Sequence, residues 1–222
     1  MLKLNLAAGS GTLRLLCLGA HADDIEIGCG GTVLQLLCAC PNVDVVWVVF
    51  SAAAEREREA RTGASLFLEQ AKGQSKVIVK NFRDGYFPYQ GTEIKEFFDE
   101  LKKEVDPDLI FTHYRDDRHQ DHRTISDLTW NTWRHHLILE YEVPKYDGDL
   151  GVPNFFVPLD QDVWARKIKY ICDVFRSEGT KAWLSEDTFQ AILRLRGVEC
   201  AAPGKYAEAF YCRKLLLAFN KT

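Results

Sequence analysis

The sequence predicts an α/β fold, a three-layer sandwich whose middle layer is a mostly parallel sheet. Two observations carry this reading. The apolar, β-branched runs, such as VDVVWVVF at 43–50, are short and continuous, as strands covered on both faces must be. They alternate with charged, helically patterned segments, and strands joined through helices run parallel with right-handed crossovers. At 222 residues and 46% hydrophobic content the chain is expected to form one domain over 1–222 with a full core.

Taken in order, residues 13–19 read as the first buried strand, followed by a glycine-rich tight turn and a helix over 32–40. A second strand covers 43–50, a charged helix 53–71, a third strand 76–82 and a helix 92–105. Asp106-Pro107 ends that helix, because proline cannot continue the hydrogen-bond ladder. The segment DLIFT (108–112) forms a fourth strand that opens into the charged loop HYRDDRHQDH. Residues 124–135 are helical again, 137–156 strand and loop, and 160–175 an amphipathic helix. The tail AEAFYCRKLLLAF alternates as a late strand would, with the character of an antiparallel edge. The whole is Rossmann-like, so ligands are expected beyond the carboxyl ends of the strands.

Composition narrows the function. A formal net charge of -4 lacks the basic excess that nucleic-acid binding leaves, so no nucleic-acid partner is expected. The seven cysteines are scattered with no Cys-x-x-Cys pair, which points to free thiols in a reducing, cytoplasmic setting rather than a disulfide framework or thiolate zinc knuckle. The apolar stretch 13–18 is too short to span a bilayer, and the N-terminus lacks a charged region with a cleavage site; no membrane association is expected. Self-association stays open.

Two unusual clusters fall at strand ends. One is AHADDIEIGCGG at 20–31, after the first strand; the other is HYRDDRHQDH at 113–122, after the fourth. Four of the six histidines (His21, His113, His119, His122) lie here, with Asp23, Asp24, Asp116, Asp117 and Asp121. Histidine and carboxylate without thiolates suit an intermediate ion such as Zn²⁺, and three protein ligands leave a fourth position for water, as in a catalytic site. A dinucleotide fingerprint fails: the third glycine of G-x-G-x-x-G falls at Val33, and Asp23, Asp24 and Glu26 would repel a pyrophosphate.

The HADD segment with its trailing IEIGCGGT, the later HQDH and the near-terminal YAEAF resemble the phosphatidylinositol-glycan-L/LmbE-like N-deacetylase family. The three stretches come in the family's order and span most of the chain. The family's first motif usually reads His-Pro-Asp-Asp, so Ala22 departs from it, loosening the loop without removing a ligand. The resemblance implies a hydrolase that removes an acyl group, acetyl above all, from the nitrogen of an amino sugar or its conjugate. It implies His21, Asp24 and His122 as metal ligands for Zn²⁺, with Fe²⁺ or Co²⁺ as alternatives. It also implies Asp23 as general base, His119 as the group that polarises or protonates at the developing oxyanion, and Asp121 as the group that orients a neighbouring histidine. Amide hydrolysis needs such a division of duties: a water nucleophile, an acceptor for its proton, an oxyanion partner and a proton for the amine.

Three further residues carry two readings each. Arg58 belongs to the mixed run EREREA, which fits a solvated helical face, while the resemblance places an arginine at this rim near the substrate. Asp84, before Gly85, is a turn aspartate or a contact for sugar hydroxyls. Glu208 in YAEAF is an edge-strand charge or a substrate contact. His113 lines the site or merely ends a strand, and the five tryptophans (Trp47, Trp130, Trp133, Trp164, Trp183) fill core or rim, with one available to stack on a sugar. The rival functions are a non-haem iron oxygenase, because His21-x-Asp23 with His122 also spells a two-histidine, one-carboxylate triad, a metal phosphoesterase, and a binding module that keeps the metal without turnover.

Overall fold

A computed structural model describes residue 3 and residues 11–216. Strands β1 (Leu13–His21), β2 (Val43–Ser51), β3 (Ser75–Val79), β4 (Leu109–His113), β5 (Leu137–Tyr141), β6 (Phe155–Pro158) and β7 (Ala207–Cys212) form one sheet in the order β3-β2-β1-β4-β5-β7-β6. β1 pairs in parallel with β2 and β4, β2 with β3, and β4 with β5, while β7 runs antiparallel to both β5 and β6. The α/β, three-layer, mostly parallel architecture is therefore the one the alternation of runs requires.

Both faces of β1 are apolar, and the two sets of side chains feed two cores. Leu15 and Cys17 join a cluster with residues of helices α1 (Asp24–Ala39), α2 (Glu55–Phe67), α5 (Gln161–Val174) and α6 (Glu186–Glu199). Leu16, Leu18 and Ala20 join the other, with α3 (Gly91–Glu104) and α4 (Gln120–Thr132). The chain reverses its direction of travel across the sheet between β1 and β4, which are neighbours. That crevice, at the carboxyl ends of parallel strands, is where such sheets bind ligands, and His21 and His113 are the last residues of β1 and β4.

Several expected boundaries are corrected. α1 begins at Asp24, eight residues before the expected start, so the glycine-rich stretch is helix rather than a tight turn. Glycine weakens a helix interior by about 1 kcal/mol relative to alanine, but here neighbouring side chains occupy the missing Cβ positions. A Cβ on Gly28 would meet the Tyr141 ring at 2.1 Å, and one on Gly30 the Phe67 ring at 2.4 Å. α4 begins at Gln120 rather than 124, which puts Asp121 and His122 in its first turn. α6 was not foreseen, since it buries Arg196 among Phe189 and Leu193 while exposing Leu195 and Val198, and so shows no clean apolar stripe. The late strand β7 is antiparallel, as expected, but it is inserted between β5 and β6 and is not an edge; β6, ending in Pro158, is the edge. The part of that expected strand beyond 216 lies outside the described residues. Among the described residues no helix is long and apolar enough to cross a membrane.

Candidate functional site

The first cluster turns sharply between β1 and α1. Asp23 sits at φ 103°, a left-handed conformation that a non-glycine residue adopts at a cost of order 1–3 kcal/mol and that concentrates at functional sites. This bend sends the side chains of His21 and Asp24 to the same side, where the His21 backbone N–H donates to Asp24 Oδ2 at 2.6 Å. The second cluster arrives from α4. His119 caps that helix, its Nδ1 accepting the Asp121 N–H at 3.3 Å, and His122 in the first turn points back toward β1.

The two clusters meet. His21 Nδ1 lies 3.2 Å from His122 Nε2 and 3.5 Å from Asp24 Oδ2, and His122 Nε2 lies 3.5 Å from Asp24 Oδ1. Two ligands of a tetrahedral ion at the usual 2.0–2.1 Å stand about 3.3 Å apart, a spacing that the two imidazole nitrogens match, while the two Asp24 distances run to different oxygens of its carboxylate. Two imidazole nitrogens at 3.2 Å also need a proton or a cation between them, because bare lone pairs repel. His119 completes a group with His21 and His122 whose donor atoms lie within 4.8 Å of one another.

A supporting layer surrounds this core. His21 Nε2 faces Asp84 Oδ1 at 3.0 Å and Asp121 Oδ2 at 3.2 Å. Asp121, fully buried, also accepts the backbone N–H groups of Gly85 (2.6 Å) and Phe87 (3.1 Å), which ties the loop after β3 to the site. His122 Nδ1 is 2.9 Å from Asp117 Oδ2, and Asp117 Oδ1 accepts the His119 N–H at 2.8 Å. His113 is buried beneath, stacked on His122 with ring centroids 3.9 Å apart, its Nε2 accepting the Ala20 N–H at 2.9 Å. Such carboxylate–histidine pairs fix ring orientation and tautomer.

The electrostatics follow from burial and from charges of both signs at close quarters. Burial pushes the Asp23 carboxyl up to about 7, against the pull of Arg56. Asp24 goes the other way: burial alone would raise it, but His122 and His113 hold it well below the carboxylate range. Burial would lower His21 too, yet Asp121, Asp24 and Asp84 together raise it well above the usual histidine value. Burial, with His113 adding to it, takes His122 down to about 4, and burial with His21 lowers His119. Asp84, hydrogen-bonded to His21, falls to about 2. Three carboxylates, those of Asp24, Asp84 and Asp121, thus lie within 3.5 Å of His21, an acidic setting that would suit a divalent cation.

These groups floor a basin of about 700 Å³ whose rim includes Arg56, Arg83, Tyr146 and Trp183. Two expected contacts are elsewhere. Arg58 is 78% exposed at its side chain, pairs with Glu55, and lines a separate shallow hollow on α2. The arginine of that run that enters the basin is Arg56, 3.4 Å from Asp23 Oδ2 and 2.5 Å from the Ala22 carbonyl oxygen. Glu208 is 3% exposed and touches no part of the basin; it accepts Lys167 Nζ at 2.5 Å and the N–H groups of Gly31 (2.8 Å) and Thr32 (2.6 Å) in the middle of α1. Asp117, Lys145 and Arg56 are the residues that sequence reasoning left without a role.

The family model described as PIG-L, GlcNAc-PI de-N-acetylase, matches residues 16–133 and so includes both clusters. The uncharacterized deacetylase YaiS of Escherichia coli K12 is 29% identical over 144 residues, covering 59% of this chain and 74% of that protein. Among solved structures, N,N'-diacetylchitobiose deacetylase from Pyrococcus horikoshii superimposes with a TM-score of 0.69 at 24% identity, over 90% of this chain and 83% of that one. GalB, the 4-carboxy-2-hydroxymuconate hydratase of Pseudomonas putida KT2440, gives a TM-score of 0.72 at 15% identity, over 95% of this chain and 100% of its own. At these identities the structures share the fold, and that fold serves a hydratase as well as deacetylases. The family match spans more than half of the sequence, and the chain belongs to the GlcNAc-PI de-N-acetylase (PIG-L) family of deacetylases.

Proposed function

We propose that this chain is a metal-dependent hydrolase that removes an N-acyl group, specifically N-acetyl, from an amino sugar or amino-sugar conjugate. The observation that carries the reading is the convergence of His21 Nδ1 and His122 Nε2, 3.2 Å apart, on the Asp24 carboxylate, one oxygen of which lies 3.5 Å from His21 Nδ1 and the other 3.5 Å from His122 Nε2, beside the buried Asp23. Those three residues would hold the ion, and an all-nitrogen-and-oxygen donor set suits Zn²⁺, with Fe²⁺ or Co²⁺ as alternatives. When bound, such an ion supplies Lewis acidity, bringing the pKa of water toward about 7 and polarising the acyl carbonyl.

The remaining duties fall to the chain's own side chains. Asp23 accepts the proton of the attacking water; its carboxyl near 7 suits a base that must exchange protons at neutral pH. Arg56 Nη2, 3.4 Å from Asp23 Oδ2, holds that carboxylate in place. His119 Nδ1 accepts the Asp121 N–H, so Nε2 carries the hydrogen and serves as donor to the developing oxyanion. Asp121 fixes the His21 ring through Nε2. The Asp84 side chain, 75% exposed at the mouth, is the group available to sugar hydroxyls. In the oxygenase alternative Asp23 would have to be a ligand, but the carboxylate 3.5 Å from both imidazole nitrogens is that of Asp24.

The test is to incubate zinc-loaded protein with a panel of N-acetylated sugars, glycosides and sugar conjugates and to assay acetate and free amine. Equimolar release of both, lost on replacing Asp23 by Asn while bound zinc is retained, is expected. Absence of acetate from every member of the panel by a protein that holds zinc refutes the reading.

A further inference from the structure

We propose that Lys145, on the loop after β5, is a positioning residue that holds the Asp117–His122 pair in the arrangement the ion site uses. The inference rests on the reading of His122 as a ligand. Lys145 Nζ donates to Asp117 Oδ2 at 2.9 Å and to Asp149 Oδ2 at 2.5 Å, and its side chain is only 10% exposed. The Asp117 oxygen that receives Lys145 is the one 2.9 Å from His122 Nδ1, and the other oxygen is committed to the His119 N–H. Asp117 therefore has no freedom once Lys145 is in place, and it fixes His122 with Nε2 turned toward His21 and Asp24.

Lys145 borders the basin, yet two carboxylates meet its single charge, which makes it a poor partner for an anionic substrate. It acts through Asp117 instead. It is also a clasp between loops: Asp149 accepts the Arg118 N–H at 2.7 Å, so Lys145 and Asp149 together join the segment after β5 to the segment between β4 and α4 that carries Asp117. Outer partners of metal-bound histidines commonly contribute about 10–100-fold to metal affinity.

The experiment measures zinc affinity by chelator competition, and the visible spectrum of the Co²⁺-substituted protein, for wild type, Lys145→Met, Lys145→Arg, Asp117→Asn and the double variant. Lys145→Met is expected to weaken zinc about 10-fold and alter the Co²⁺ spectrum. Lys145→Arg should restore most of that affinity, and in the Asp117→Asn background Lys145→Met should add less than about twofold, as coupled neighbours do. Lys145→Gln, which keeps a donor without charge, replaces the Met variant if circular dichroism finds that one unfolded. Unchanged affinity and spectrum on loss of Lys145, or an equal loss in both Asp117 backgrounds, overturns the proposal while leaving His122 a ligand. Zinc affinity that survives His122→Ala overturns the ion-site reading and this inference with it.

Discussion

Replacing Glu208 by Ala separates a supporting role from a substrate contact. The change removes the acceptor of Lys167 Nζ, whose other partner among the described residues is the Ile27 carbonyl oxygen at 2.6 Å, and takes an acceptor from the Gly31 and Thr32 N–H groups within a buried helix. Glu208 and Lys167 are 3% and 2% exposed, so water cannot take over. Deleting one partner of a buried pair costs roughly 3–5 kcal/mol, and an orphaned buried amide adds about 1–3 kcal/mol. The expected loss of unfolding free energy is thus about 4–8 kcal/mol, a large share of the roughly 5–15 kcal/mol that holds a domain together. Urea unfolding of metal-free protein reads it as a fall in midpoint at constant m. Lys167→Met should cost a similar amount, and the pair Lys167→Met with Glu208→Leu, which leaves no charge behind, should recover at least half of the summed loss. In the gentler Glu208→Gln, KM for an acetylated substrate should stay within twofold. A stability loss below about 1 kcal/mol together with a raised KM would return Glu208 to the substrate and refute the reasoning.

Other changes follow from the same geometry. Gly28→Ala drives a methyl into the Tyr141 ring, whose hydroxyl donates to the Leu18 carbonyl oxygen at 2.7 Å, and should cost about 1–3 kcal/mol in urea unfolding; Gly91→Ala, with nothing within 4 Å, is the neutral control. Arg56→Ala should lower kcat/KM for acetate release about 10-fold or more, since second-layer partners contribute on that scale, whereas Arg58→Ala should leave it within twofold and stability within about 0.5 kcal/mol. Chelation should abolish acetate release and lower Tm, because a ligand bound only by the folded state stabilises it; full activity in chelator would remove the ion from the account.

Much of this molecule is legible in its sequence where burial is two-sided. Runs such as 43–50 must be strands between two helical layers, and once strands and helices alternate, the crevice beside β1 and β4 collects both clusters. The errors have local causes. Glycines at 28, 30 and 31 spell a turn unless the rings of Tyr141 and Phe67 are known to fill their Cβ positions. Successive residues on a helix point about 100° apart, so a run of alternating charges gives no sign that Arg56, and not Arg58, turns inward. Glu208 reads as an edge charge because its partner Lys167 is 41 residues away on another element. For the same reason Lys145 carries no signal: its role exists only where two loops meet.

The most direct test is an anomalous diffraction map of crystals grown with zinc. One peak per chain is expected, about 2.0–2.2 Å from His21 Nδ1, His122 Nε2 and an Asp24 oxygen, with Asp23 outside the ligand set. A peak lying instead on His21 Nε2 between Asp84 and Asp121, or no peak between His21 and His122, would contradict the account.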